Sequence, residues 1–289
     1  MENDPDEMIQ RGLDVLDQAL SLDKRIRLFS SLVPLFSGGY DSLCACYIAS
    51  KHRKFGGRVY HIDTGIGSAA TRVYVDQVCK EMDWKLEVLQ SPATYESFVS
   101  TLGFPGPGSH QWVYNWLKDR CVQQITQGTR YKLLITGCRS EESTRRMGHV
   151  QPIKIGERSK ESGKTMHLNR LWIAPCHDWT SENQRTFMNE MGFPRNPIKD
   201  SLLGMSGECF CGAFARPNER EMIKEFAPDV DRKITRLEVI AKECGIEERN
   251  CTWGYRKGRK VEEVVETGPM CNSCDRKASA AGIIIKDCS

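Results

Sequence analysis

A chain of 289 residues and 32.8 kDa can bury a full core, as one large domain or as one domain with an appendage. Its hydrophobic content of 39%, charged content of 27% and mean hydropathy of −0.48 are those of an ordinary soluble protein, and no apolar run nears the ~18 residues of a membrane span. The net charge of +3 is uneven: residues 1–30 are acidic and 201–289 are balanced, so 31–200 carry twenty-two basic against sixteen acidic side chains, which favours a polyanionic ligand.

The opening "MENDPDEMIQRG" has no apolar stretch, which argues against a secretory signal. Thirteen cysteines are therefore expected in a reducing cytoplasm, where clustered ones suggest metal ligation or catalysis ahead of disulfides.

Residues 8–22 place Met8, Ile9, Leu13, Leu16 and Leu20 at helical spacing and predict an amphipathic first helix. "SSLVPLFS" reads as a short buried strand, followed by a helix from Asp41 to His52. "GGRVYHIDTG" predicts a turn and a second strand, 68–83 a helix, and "KLEVLQ" a third strand. "GFPGPGS" is a loop. Val113, Leu117, Cys121 and Ile125 recur at i+4 and predict a helix over 110–127, and "YKLLITGCR" is a strand ending in glycine.

Such alternation predicts an α/β fold, a parallel sheet with helices on both faces. In that architecture ligands bind beyond the carboxyl ends of the strands, where Ser37–Ser42, Asp63–Gly65 and Gly137–Arg146 would converge. Three regions are expected: an N-terminal helical segment (1–30), a nucleotide-binding domain (31–200) and a small helical, cysteine-containing C-terminal module (201–289). In the last, two helical stretches flank Pro228, and little regular structure is expected after Gly245.

"SGGYDS" at 37–42 has the chemistry of a phosphate loop. Gly38 and Gly39 can take backbone angles closed to other residues and let amides approach a ligand. Ser37 and Ser42 add hydroxyls, and Ser42 falls in a first helical turn, where the dipole favours an anion. Asp41 would cap the helix or hold a metal-bound water; a plain strand-to-helix turn is the competing reading.

The stretch resembles the SGG-x-DS signature of the PP-loop ATP pyrophosphatases. "HIDTG" (61–65), "GCRSEESTRR" (137–146) and "LWIAPCHDWTSENQRTFMNEMGFPRNPI" (171–198) are similar, in order, to further motifs of the branch related to phosphoadenosine phosphosulfate (PAPS) reductases. The resemblance implies an adenine nucleotide α-hydrolase-like, Rossmann-like fold. It implies that Ser37, Gly38, Gly39, Tyr40, Asp41 and Ser42 hold phosphates, with Asp63, Thr64 and Gly137 beside the nucleotide. Asp41, Arg139 and Arg146 become the catalytic candidates, the guanidinium forks suiting phosphate or sulfate oxygens, with Glu142 orienting one of them. Tyr40 stands where the signature often has lysine, so no lysine contact to phosphate is expected there.

Cys209-Phe-Cys211 and Cys271-Asn-Ser-Cys274 are two close pairs with 59 residues between them, enough thiolates for a tetrahedral zinc or a [4Fe–4S] cluster. Relatives carry a cysteine pair just after the Asn-Pro segment, and several bind [4Fe–4S], which the resemblance favours over Zn²⁺. Cys44, Cys46, Cys79, Cys121 and Cys244 fall on helices and read as packing. "RNCTWGYRKGRK" (249–260) carries five positive charges, Trp253 and Tyr255, a mixture that suits phosphates and stacked bases or a solvated basic loop.

The resemblance implies ATP with Mg²⁺, adenylation of an acceptor with release of pyrophosphate, and sulfur incorporation, with nucleic acid as a partner and a cysteine desulfurase as sulfur donor. No membrane partner is expected. The alternative is a PAPS or adenosine phosphosulfate reductase with a cysteine nucleophile. Against it, the first motif is intact, no adjacent Cys-Cys pair is present, and only Cys288 lies in the right region. A non-catalytic nucleotide-binding subunit of a modification or defence complex is the third reading.

Overall fold

The computed structural model describes residues 4–128, 130–142, 151–158, 165–201, 203–254, 264–266, 270, 277 and 284–286. Helices α1 (Pro5–Ser21) and α2 (Lys24–Phe29) lead into β1 (Ser31–Pro34) and α3 (Tyr40–Lys51). β2 (Arg58–Asp63), α4 (Ala69–Glu81), β3 (Lys85–Gln90) and α5 (Tyr95–Leu102) follow. The predicted helix at 110–127 is interrupted: α6 (His110–Tyr114) and α7 (Arg120–Ile125) are joined by a wide π turn, Asn115–Asp119. Then come β4 (Lys132–Ile135), β5 (Ile153–Arg158), β6 (Thr165–Ile173), α8 (Ser181–Glu190), α9 (Pro197–Asp200), α10 (Glu219–Phe226), α11 (Pro228–Glu243), and a short parallel pair, β7 (Val264–Glu266) and β8 (Ile284–Lys286).

β1 pairs with β4 and β4 with β6, all parallel, while β5 closes the edge antiparallel to β6 with a bulge between Ile155 and Glu157. β2 and β3 form a second parallel pair. A parallel bridge between Leu35 and Tyr60, and the Phe36 N–H on the Tyr60 carbonyl at 2.8 Å, dock that pair beside β1. The spatial order is therefore β3-β2-β1-β4-β6-β5. Winding reverses between β1 and β4, the switch point where such sheets bind ligands.

Period-2 alternation assigns the faces. Leu133, Ile135, Leu171 and Ile173 join a cluster with Met8 and Leu16 of α1, Leu43 and Ile48 of α3, Val78 of α4 and Phe187 of α8. Leu134 and Trp172 point the other way, to Val33, Ile62, Leu89 and Val122. Both faces are thus covered, as the α/β reading requires. A third cluster joins Phe210, Phe214, Ile223, Ile234 and Trp253 to Tyr95 and Phe98 of α5 and Val113 of α6. The described part of the C-terminal stretch shares that core with the sheet-bearing region, so its helices are stapled by apolar packing against α5 and α6.

The β5–β6 hairpin had no clear signal. Its residues alternate weakly, and "LWIAPC" registers as a motif before it registers as a strand end.

Candidate functional site

The chain leaves β1 at the switch point and turns through Ser37, Gly38 and Gly39 into α3. Gly38 has φ +80°, and a Cβ there would lie 2.7 Å from Cγ2 of Thr71, so the position demands glycine twice over. Ser42 Oγ donates to the Gly39 carbonyl at 2.7 Å, accepts the Ser37 N–H at 3.2 Å and lies 3.1 Å from Ser37 Oγ. The Gly39 N–H reaches Ser37 Oγ at 3.4 Å. The hydroxyls thus occupy the loop's own amides, places an incoming phosphate oxygen can take over.

Most long helices of the sheet region start from a side-chain cap: Asp4 for α1, Ser68 for α4, Thr94 for α5 and Thr180 for α8. α3 starts at Gly39 with none. Its first-turn amides and the positive end of its dipole are left for an anion.

The loop is held from a distance. The Gly137 backbone, just beyond β4, lies directly on Asp41 and Ser42, and a Cβ there would collide with Asp41 C and O and Ser42 N. Asn196, wholly buried, donates from Nδ2 to the carbonyls of Gly38 at 2.8 Å and Ser206 at 3.1 Å. Tyr40 sends its hydroxyl to Asp200 Oδ1 at 2.7 Å and accepts the Asn196 N–H at 3.0 Å, beneath the Arg195 guanidinium. Burial, then the Asp200 hydrogen bond, raises the Tyr40 phenol. Tyr40 therefore anchors α3 to the Asn-Pro segment, and only its backbone faces the loop.

Asp41 and Arg139, both catalytic candidates, form a buried ion pair at 2.6 Å. The guanidinium also donates to the Trp179 carbonyl and to Glu141, each at 3.1 Å. Glu141, unremarked in sequence, is a partner of Arg139 here; the Glu142 side chain and all of Arg146 lie outside the described residues.

Beside the loop opens a cleft walled by Leu35, Phe36, Tyr60 and Ile62 and reached by Ser37, Ser42, Thr136 and Gly137. Its polar end holds Lys118 and Glu208, a buried ion pair at 3.1 Å, with Lys118 Nζ also 3.4 Å from the Met270 carbonyl. Neither residue was foreseen. Lys118 follows Leu117 on a helix whose regular phase would not aim both inward; the extra residue of the π turn does. Glu208 lies beyond the recognised motifs.

At the second strand end, His61 Nδ1 donates to the Phe36 carbonyl at 2.8 Å, and burial pushes its pKa down to about 4, so the ring is neutral near pH 7. Asp63 accepts from the Gly65 N–H at 2.9 Å and Gln90 Nε2 at 3.0 Å. Burial works to raise Asp63, but these bonds outweigh it and hold the carboxyl below its usual range. Thr64 donates to the Glu208 carbonyl at 2.6 Å. Asp63 and Thr64 thus fix the loop at the mouth of the cleft and tie it to the segment bearing Cys209.

Cys209 is half-buried and Cys211 buried; their mutual hydrogen bond, followed by burial, pushes the Cys209 thiol well up. Cys271, Cys274 and Cys288 lie outside the described residues, and among the described residues no three His, Cys, Asp or Glu side chains gather as a metal site. Cys44, Cys46, Cys79 and Cys121 are buried packing residues as expected. Cys244 is exposed at the end of α11, because the apolar stripe of that helix runs through Val230, Ile234, Leu237 and Ala241 and stops short of it. Trp253 is buried, its indole N–H on the Phe210 carbonyl at 2.7 Å, and is not open to stacking. No helix among the described residues is long and apolar enough to cross a membrane.

Residues 31–202, more than half of the chain, match the phosphoadenosine phosphosulfate reductase domain. The chain belongs to the PAPS reductase family. This is the PAPS-reductase-like branch of the PP-loop superfamily, a family of nucleotide-binding enzymes. Curated protein sequences give no match. Among solved structures, the chain is similar to the PAPS reductase of Candida auris in its phosphate complex, at 19% identity over 67% of this chain and 84% of that one, with a TM-score of 0.46. It is also similar to the FMN adenylyltransferase of Candida glabrata with FAD and inorganic pyrophosphate, at 11% identity over 66% and 69%, with a TM-score of 0.37. The family match stops short of Glu208 and the cysteines that follow it.

Proposed function

We propose that this PAPS reductase family member is an ATP pyrophosphatase that adenylates an acceptor and so prepares it for sulfur incorporation, with nucleic acid as the acceptor class. The observation that carries the reading is the uncapped start of α3 beneath an intact Ser37–Ser42 loop, at the mouth of an apolar cleft.

In this reading the adenosine lies against Leu35, Tyr60 and Ile62, and the phosphates replace the Ser37 and Ser42 hydroxyls on the loop amides. An acceptor oxygen attacks the α-phosphorus. The bond from that phosphorus to the bridging oxygen breaks, pyrophosphate leaves with the electron pair, and the acceptor proton passes to solvent or pyrophosphate. The outer sulfur of a protein persulfide, from a donor such as a cysteine desulfurase, then displaces AMP from the activated position, and a thiol reductant cleaves the resulting S–S bond, leaving sulfur on the acceptor and the thiols oxidised to a disulfide. The protein supplies positioning and charge. Lys118 places a cation at the polar end of the cleft, and the Asp41–Arg139 pair keeps the first turn of α3 rigid. Asp41 and Glu208 are each paired to a cation, so Mg²⁺ would arrive on the phosphate oxygens and supply charge neutralisation there.

Cys209, Cys211, Cys271 and Cys274 are the thiols proposed to hold a [4Fe–4S] cluster, or Zn²⁺ in its place. Met270, which precedes Cys271, has its carbonyl on Lys118, and Lys118 pairs with Glu208, which precedes Cys209. The described residues supply half of the donor set, and no step runs through the cluster.

Anaerobically purified protein should release pyrophosphate from ATP once a nucleic-acid acceptor is supplied, and carry iron and acid-labile sulfide. Adenosine bisphosphate and sulfite from PAPS, with ATP untouched, would replace this reading with the reductase one. ATP binding without turnover on any acceptor would leave a nucleotide-binding subunit.

A further inference from the structure

Lys118 and Glu208 are both buried, and their 3.1 Å contact lies on the wall of a largely apolar cleft. Two ions taken out of water rarely stabilise a fold better than an apolar pair of the same size, so stability does not explain them. Each is also fixed from outside the pair. The wide turn at Asn115–Asp119 aims Lys118 inward, and its Nζ lies 3.4 Å from the Met270 carbonyl. Glu208 is pinned by its backbone: its carbonyl accepts the Thr64 hydroxyl at 2.6 Å, and the Ser68 N–H donates to the neighbouring Gly207 carbonyl at 2.8 Å. Gly67 packs so close that a Cβ there would lie 2.6 Å from the Glu208 carbonyl oxygen. The carboxylate is set in place before any ligand arrives.

Among the described residues, these are the two ionised side chains that line the cleft, and their charges cancel. A neutralised pair is a poor receiver for a phosphate. The Lys118 charge is already spent on Glu208, and a dianion set beside it would meet a carboxylate at close range. The pair is a good receiver for hydroxyls, which donate to the carboxylate and accept from the ammonium. Adenine also offers a donor and an acceptor, but its edge is matched by the planar amide of Asn or Gln. An acidic side chain is the usual reader of ribose hydroxyls in nucleotide-binding sheets.

We propose that Glu208, oriented by Lys118, is the specificity residue for the sugar: it accepts the ribose hydroxyls of an adenosine 5′-phosphate and disfavours a nucleotide that carries a 3′-phosphate. This rests on the reading that adenosine occupies the cleft, and it deepens that reading by naming the ligand class, in which both ribose hydroxyls are free. ATP belongs to that class and PAPS does not. The family match ends at residue 202, so the discriminating carboxylate belongs to the stretch beyond the matched domain.

The test is titration calorimetry on the full chain without an acceptor. It compares AMP with adenosine 3′,5′-bisphosphate, which differs by the 3′-phosphate alone, and with 2′-deoxy-AMP and 3′-deoxy-AMP. The bisphosphate should bind at least about tenfold more weakly than AMP, through like charges at close range. At least one deoxy nucleotide should lose about tenfold, as for a missing hydrogen bond to a charged group. In Glu208→Gln, with folding checked by circular dichroism, both penalties should shrink to about threefold or less. If that variant does not fold, Lys118→Met combined with Glu208→Gln buries no ion and should show the same loss of discrimination. In the unaltered chain, a bisphosphate bound as tightly as AMP, or two deoxy nucleotides bound as tightly as AMP, would overturn the proposal. So would an unchanged bisphosphate penalty in the folded variant, or a penalty for inosine monophosphate that Glu208→Gln abolishes while the deoxy nucleotides bind like AMP. Pyrophosphate release from ATP is a separate readout: adenylation can fail while AMP outbinds the bisphosphate, and the two can bind alike while adenylation proceeds. No binding of any of these nucleotides would overturn the proposal together with the reading it rests on.

Discussion

The starts of α3 and α5 solve one problem in opposite ways. α5 is closed locally, by Thr94 Oγ1 accepting the Ser97 N–H three residues on at 3.0 Å. α3 is held by partners far along the chain: Arg139 on Asp41, Asn196 on the Gly38 carbonyl, Gly137 against the backbone, and His61 on the Phe36 carbonyl. A helix that caps itself spends its amides on itself. One clamped from elsewhere is equally fixed and leaves them unspent by a side-chain cap.

The strongest way to break the contrast is to remove the clamp. Arg139→Leu leaves the buried Asp41 carboxylate uncompensated and should cost about 3–5 kcal/mol in urea unfolding. The double variant with Asp41→Asn should lose clearly less than the two single losses together; strict additivity would show that the pair is not coupled.

Acid tests the His61 strut. Its folded pKa, about 4, is depressed from the usual 6.5, so between those values the unfolded chain takes up a proton that the folded chain refuses. Stability from this group is fully present above pH 6.5 and falls as pH drops toward 4, by up to about 3 kcal/mol. In His61→Asn that component of the pH profile should vanish; an unchanged profile would assign it elsewhere.

Smaller substitutions sharpen the comparison. Ser42→Ala should lower ATP affinity roughly tenfold, as for a lost hydrogen bond to a charged group, and change stability by about 1 kcal/mol or less. Thr94→Ala should do the reverse, costing about 1 kcal/mol of stability while titration calorimetry finds ATP affinity unmoved. If both variants behaved alike, the distinction between local and remote closure would carry no function.

The two kinds of helix start also differ in how far they can be read without coordinates. Strands β1 to β4 and their helices follow from short-range periodicity, and the Ser37–Ser42 loop from a six-residue pattern. The clamp does not: Gly137 and Asn196 lie within recognisable motifs, but nothing local says what they touch. Lys118 was hidden because a regular 3.6-residue phase was assumed through 115–119. Glu208 was hidden because a lone acid in a glycine-rich stretch has no pattern. The shared core of α5, α6 and the C-terminal helices depends on contacts between residues more than a hundred positions apart, as in Tyr95 donating to the Cys211 carbonyl at 2.7 Å. Cys244 was read as packing because helical phase was extended one position too far.

The wide turn at Asn115–Asp119 makes the polar end of the cleft unusually easy to rewrite. Deleting one codon there would let the flanking helices run on as a single regular rod and swing the downstream side chains by about 100°. Lys118 would leave its place and its ion pair with Glu208 would be lost, shifting the charge at the polar end of the cleft with every strand and loop glycine untouched. The charge lining the cleft can thus be altered by a step in reading length, without substituting any residue of the Ser37–Ser42 loop.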